Sequence, residues 1–221
     1  ALGEAASAML KAGKVLPSSM WVDLVAAAME AEGGVGPFVL EGFPSDGSTL
    51  EQLEEKVGSS VSVVLRLDCD AETLGSRLAE REGSAWDFFS SAERGAAEAA
   101  LAAKQRAFAG SVAGVSGTLS SVGRLRVVDA SGPEEATVSS ALALLAGVGT
   151  TGWAPVAVRP TVVAVLGAPG SGRSTVVSRV CSELSCVCLE PEALLAEAVS
   201  SGHALGEAAS AMLKAGKVLP S

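Results

Sequence analysis

Apolar positions along the chain follow two alternating rhythms. From Ser18, the residues Trp21, Leu24, Val25, Ala28 and Met29 recur every three or four positions, which predicts a helix closed by Gly33 and Gly34. PFVLEGFP, starting at Pro37, predicts a short buried strand and a turn. SVSVVLRLDCD is β-branched and nearly continuous in apolar residues, as expected of a strand covered on both faces. AETLGSRLAERE then predicts a helix with Leu74 and Leu78 four apart. An Ala-rich helix is predicted over Glu93 to Ala109, a strand in RLRVVDA, and a helix in PEEATVSSALALLAG started by Pro133. Beyond Pro160 the order is strand, glycine loop, helix, strand, helix. One more helix is predicted at Ala1 to Ala12, where Leu2, Ala5, Ala6, Met9 and Leu10 form a stripe ended by Gly13. Such alternation predicts an α/β fold: a parallel central sheet with helices on both faces.

The pattern also repeats. ALGEAASAMLKAGKVLPS stands at Ala1–Ser18 and again at Ala204–Ser221, 203 positions apart. Solenoid and propeller units are roughly 20–50 residues long, so the repeating object is a whole domain. GVGTTGWAPVAVRP, at Gly147 to Pro160, interrupts the rhythm with Gly, Thr and Pro and predicts a linker. The expected organisation is therefore residues 1–146 as the C-terminal part of one repeat, 147–160 as linker, and 161–221 as the N-terminal part of the next. A start at Ala1, without Met or a leader, fits a segment of a longer protein. Two pairings are open: each half completes itself with the half beyond it, or this segment closes on itself as a circular permutant across the linker.

Composition narrows the function classes. In 221 residues, 48% are hydrophobic but only 4% aromatic, and glycine numbers 25, which describes an Ala/Gly-rich α/β chain long enough to bury a core. A net charge of −9 counts against nucleic-acid and membrane partners, both of which need a clustered basic face. The most apolar stretch, TVVAVLGAPG, is cut by Gly and Pro well short of the roughly 20 residues of a membrane helix. A soluble cytoplasmic protein is expected. Cys69, Cys181, Cys186 and Cys188 are expected to be free buried thiols. Cys186 and Cys188 would share one face of a strand, without a ligand-type partner for zinc. His203, the lone histidine, is expected at the surface.

Candidate chemistry concentrates in GAPGSGRST, Gly167 to Thr175, between an apolar strand and a helix. Glycines there let backbone N–H groups curl around phosphate oxygens, and the helix N-terminus adds positive partial charge. The candidate nucleotide-binding residues are Gly167, Gly170, Ser171, Gly172, Arg173, Ser174 and Thr175. Arg173 stands where the P-loop pattern G-x-x-x-x-G-K-[ST] has lysine.

With LLAEAVSSGHALGEAASAMLKAGKVLP, FVLEGFP, VVLRLDCDAETLGSRLAER and RLRVVDASG, this loop resembles the adenylate kinase and nucleoside-monophosphate kinase family. The family's order begins at the phosphate loop; here that part comes last, so the order is rotated. The resemblance implies a P-loop kinase-like three-layer fold that binds ATP with Mg²⁺ and takes AMP or another nucleoside monophosphate as acceptor. It implies nucleotide contacts from Gly42 and Asp129, catalytic charge from Arg173, Lys104, Arg77 and Arg81, and magnesium held near Ser174 and, through water, Glu41. Lys104 takes that place on a gap-free alignment running into RLRVVDA, where the family has arginine.

Several positions depart from the family's pattern. Ser45 stands where it has arginine after the GFP turn, Ala196 where its first monophosphate-binding helix has arginine, and Glu41 where the turn has aspartate. The family's glutamine aligns near Thr49, and the lid's paired aspartates are missing from SAWDFFSSAERGAAEAAL. Charge-assisted hydrogen bonds are worth about 1.5–3 kcal/mol each. Losing two arginines therefore forfeits about 3–6 kcal/mol, or roughly two to four decades in rate. Arg173 and Lys104 keep charge but exchange fork for point charge, which is not a neutral swap. The expected function is a catalytically degenerate, structural repeat of a larger protein, with ATP retained at most at the loop; the alternative is an active nucleoside-monophosphate kinase. Neighbouring repeats are the expected partners. A large cytoskeletal assembly is expected by family-level analogy, since adenylate-kinase-like repeats occur in ciliary axonemes.

Overall fold

The computed structural model describes residues 17–86, 122–149 and 160–200, with helical positions 99, 102–103, 105–110, 112, 116–117 and 119–120 between them. The duplicated segment apart from Pro17 and Ser18, the helix expected at its start, Lys104, His203 and most of the expected linker lie outside the described residues.

The chain runs α1 (Ser18–Ala31), β1 (Pro37–Glu41), α2 (Gly47–Val57), β2 (Val61–Asp68), α3 (Ala71–Trp86), β3 (Leu125–Asp129), α4 (Glu134–Gly149), β4 (Thr161–Gly167), α5 (Arg173–Leu184), β5 (Val187–Leu189) and α6 (Pro191–Ser200). The strands form one five-stranded sheet in the order β3-β2-β4-β1-β5, parallel throughout. This is an α/β, P-loop kinase-like architecture. β4, from beyond the expected linker, lies in the centre: Val163 pairs with Val39 of β1 and with Val63 of β2. Among the described residues, no helix is long and apolar enough to cross a membrane.

Strand alternation sends side chains to two apolar layers. Phe38, Leu40, Ala164 and Leu166 join Trp21, Val25 and Met29 of α1, Leu50 and Leu53 of α2, and Leu195 of α6. Val39, Val163, Val165, Leu65 and Leu67 face Val138, Ala141 and Leu145 of α4 and Val176, Val177 and Val180 of α5. Both faces of the central strands are thus dry, which explains their near-continuous hydrophobicity.

Helix α2 was absent from the pattern-based expectation, which ended at the GFP turn. Its start is chemical rather than periodic: Asp46 caps it, accepting from the Thr49 N–H at 2.8 Å and the Thr49 hydroxyl at 3.0 Å. Two further expectations are corrected. Helix α4 continues to Gly149, so the expected linker begins with helical residues. The cysteines are free but not fully buried: Cys69, Cys181 and Cys186 are partly covered and Cys188 is exposed. Cys188 sits on β5, a three-residue edge strand with no further strand beside it in the sheet.

Candidate nucleotide site

Parallel strands deliver their C-terminal ends to one edge of the sheet, where open α/β folds bind ligands. Here β4, β1 and β5 are neighbours, and their C-terminal ends supply the Gly167 loop, the Glu41–Ser45 turn and Glu190. α5 begins directly after Gly172, with its first backbone bond from the Val176 N–H to the Gly172 carbonyl at 3.0 Å. The N–H groups ahead of that bond have no intrahelical acceptor and carry the positive end of the helix dipole.

Two glycines are required by space. A Cβ on Gly167 would lie 2.3 Å from Ser171 Oγ and 3.2 Å from Leu67 Cβ, so the loop folds back over β4 only with glycine there. Gly42 has φ +70°, and its Cβ would lie 3.0 Å from the Arg173 Cζ. The guanidinium therefore lies flat against the turn after β1. Ser171 is 1% exposed, and its hydroxyl, turned towards Gly167, has no hydrogen-bond partner.

Arg173, Ser174 and Glu41 converge, although Glu41 is more than 130 positions away in the chain. Ser174 Oγ donates to Glu41 Oε1 at 2.5 Å, Arg173 Nε lies 3.3 Å from the same oxygen, and Arg173 Nη1 donates to the Gly167 carbonyl at 3.1 Å. The Glu41 side chain is 5% exposed and that of Arg173 30%. A buried carboxylate is thus met by a cation and a hydroxyl, as burial requires. Arginine can span strand end and turn at once because its fork is planar; a lysine ammonium could not.

Beside this group opens a cleft of about 500 Å³, including open solvent. Trp21 and Phe43 give it apolar walls, Ser18, Ser45 and Thr49 hydroxyls, and Glu41, Glu190 and Glu192 carboxylates; Arg173 is its one cation among the described lining residues. Burial, with Glu41 and Glu192 adding repulsion, pushes the Glu190 carboxyl up, opposed by Arg173. Ser45, at the family's arginine position, donates to Asp46 Oδ2 at 3.2 Å and lies 3.5 Å from Thr49 Oγ1. Burial raises the Asp46 pKa, but bonds from Thr49 and Ser45 outweigh it and hold the carboxyl low. Ser45 thus serves the cap of α2. Pattern reading missed Trp21, Glu190 and Glu192; the position of Glu190, directly after a strand of a parallel sheet, was the available signal.

The remaining candidates sit elsewhere. Arg77 on α3 donates to the carbonyls of Ala130 and Gly132, both at 2.7 Å, and braces the turn after β3. Asp129 accepts from the Ser131 N–H at 2.9 Å. β3 is two strands from β4 on the side away from the cleft. Arg81 and Ala196 lie on α3 and α6, with side chains outside the described set. Among the described residues no three His, Cys, Asp or Glu side chains gather as a metal-binding group.

A parallel α/β sheet with a glycine loop opening a helix at its C-terminal edge defines a P-loop kinase-like protein. Comparison with known proteins agrees in class. The chain is 28% identical over 81 residues to the UMP-CMP kinase of Prunus armeniaca, covering 37% of this chain and 35% of that protein. It is 30% identical over 83 residues to the adenylate kinase of Leifsonia xyli subsp. xyli, covering 36% and 42%. For the adenylate kinase of Finegoldia magna the figures are 31% over 83 residues, 36% and 39%. At this low identity the matches support a nucleoside-monophosphate-kinase-like relationship. Each aligned stretch spans well under half the length of the relative it matches. No family model and no solved structure matches the chain.

Proposed function

We propose that the chain is a nucleoside-monophosphate-kinase-like module that holds the phosphate chain of ATP at Gly167–Thr175 and is degenerate as a phosphotransferase. The observation that carries this is the charge of the cleft: three carboxylates and one arginine line it, and that arginine is already paired with Glu41. Phosphoryl transfer is mostly positioning plus positive charge around the phosphates. An acceptor monophosphate would enter a wall of Ser45, Thr49, Glu190 and Glu192, where no described side chain offers the missing grip.

Magnesium would be held by Ser174 and Glu41. A hydroxyl and a carboxylate oxygen 2.5 Å apart are hard donors of the kind Mg²⁺ takes together with phosphate oxygens and water. When bound, the ion would neutralise phosphate charge. Arg173 would then turn from Glu41 towards the phosphates.

The identical segments 203 positions apart support a tandem array, in rotated order relative to the family, with neighbouring repeats as partners. A place in a large cytoskeletal assembly such as a ciliary axoneme extends that reading by family analogy alone. The alternative, an active kinase passing the terminal phosphoryl group of ATP to AMP or a related monophosphate, is favoured by one observation: Arg173, Ser174 and Glu41 still converge at the loop.

Calorimetric titration with Mg·ATP and with AMP, beside a coupled phosphotransfer assay, tests the proposal. Heat with ATP, little with AMP and negligible turnover are expected. Turnover within about tenfold of the roughly 1–100 per second typical of kinases would overturn degeneracy, and no heat with ATP would remove the binding role.

A further inference from the structure

We propose that Cys181 and Cys186 form a thiol–disulfide exchange site that accepts a small-molecule disulfide as oxidant and closes as a Cys181–Cys186 bond. The geometry comes from how α5 ends. Ser185 is left-handed at φ 52°, and the Cys186 N–H donates to the Cys181 carbonyl at 3.2 Å. This is the long bond of a Schellman turn, whose two residues bring their side chains together. Both thiols pack against the same apolar layer as Val39 and Val180.

Cys188 joins them from the edge strand. It pairs with Val39 of β1, so it lies on the face that α5 covers. The Cys186 thiol donates to the Val180 carbonyl at 3.9 Å, one residue before Cys181. The trio divides the work of exchange. The neighbouring Cys181 holds the Cys186 thiol below its ordinary value against the effect of burial. Cys186 in turn lifts Cys181 to about 12, partly offset by Cys188, with burial adding to the rise. Cys188 is raised, first by Cys181 and then by burial. Cys186 is therefore the attacking thiolate and Cys181 the resolving thiol.

In the first step Cys186 sulfur attacks one sulfur of the external disulfide, and a thiolate leaves and takes a proton. In the second, Cys181, giving its proton to solvent, attacks the Cys186 sulfur and expels the other half as thiolate. Two protein thiols lose two electrons and two protons, and one small disulfide becomes two thiols. Cys69, at the far end of the sheet with its thiol raised by burial, is the internal control.

Reduced full-length chain is incubated with oxidised glutathione, alkylated, cut after Glu183 and read by mass spectrometry. The expected product has lost two hydrogens and links Cys181 to Cys186, with Cys69 and Cys188 alkylated. Cys181→Ala should stop with one glutathione on Cys186. Cys188→Ser, a change at an exposed side chain, should leave the bond intact and keeps the test valid if Cys181→Ala folds poorly. Wild-type chain that stays fully reduced, carries only glutathione adducts, or links Cys188 or Cys69 overturns the proposal.

Discussion

The glycine loop and the cleft beside it are built from different materials. On the loop side, Gly167 and Gly172 and the first turn of α5 present backbone, and the shape is set by what glycine permits. In the cleft, Ser45, Thr49, Glu190 and Glu192 present side chains. A site made of backbone survives substitution of most residues around it, because every residue carries the same N–H. A wall made of side chains changes with each substitution, and here Ser45 is engaged locally, donating to Asp46, the cap of α2.

The largest expected effect breaks the loop side. Gly167→Ala places a methyl 2.3 Å from Ser171 Oγ, an overpacking that should cost about 1–3 kcal/mol. Urea unfolding should register that loss and calorimetry the disappearance of ATP binding; a variant that matches wild type in both would show that loop shape does not carry the site. Rebuilding the other wall comes next. Ser45→Arg puts a fork into the cleft and should tighten AMP by about 1.5–3 kcal/mol, roughly ten- to a hundredfold by equilibrium titration. An unchanged affinity would mean that the lost charge is not what weakens that wall.

Glu41→Gln sharpens the contrast. One unit charge about 6 Å from a phosphate, at an effective dielectric near 20, is worth at most about 3 kcal/mol. Tripolyphosphate without magnesium should therefore bind up to about a hundredfold tighter to the variant, since its arginine loses its counter-ion, while the gain on adding magnesium should shrink. Glu190 supplies a pH test. Its carboxyl takes a proton above the usual carboxylate range, so anion affinity should rise as pH falls through that region, and Glu190→Gln should flatten the profile. A wild-type profile without that rise counts against the placement of Glu190 in the cleft.

The smallest effect lies outside the cleft and serves as its reference. Asp70 caps α3 through the Thr73 N–H at 2.7 Å and the Thr73 hydroxyl at 2.8 Å, and its carboxyl is held down at about 2. In the unfolded chain it titrates near about 3.9. A depressed folded value means that its stabilisation is present above the unfolded value and is lost as pH falls through the folded one. Urea midpoints should therefore lose a small increment over that acid window in wild type and not in Asp70→Asn, with ATP binding at neutral pH the same in both.

Much of the fold was legible because its signals are local. The strand at Thr161, the loop after it and the helix beyond are a contiguous phrase, and the apolar runs at Val61 and Leu125 announce strands by themselves. Helix α2 was passed over because its cap is side-chain chemistry at Asp46 and its sequence follows a turn that already explained the chain's direction. Glu190 and Trp21 carried no motif; each matters only because β5 pairs with β1 and the first turn of α1 lines the same cleft.

What the sequence by itself determined is the class: periodicity fixes helix or strand within a few residues, and glycine spacing before a helix defines a phosphate loop wherever it falls. Only the tertiary structure decided that β4 inserts between β1 and β2, so that strands from both sides of the expected linker share one sheet. It likewise decided that Arg173 is answered by Glu41, and that Cys181 and Cys186 share the turn that ends α5. The reason is physical. Local propensity acts over a few bonds, whereas register and ion pairing between distant segments are settled by which packing of all the apolar faces leaves the fewest polar groups unpaired.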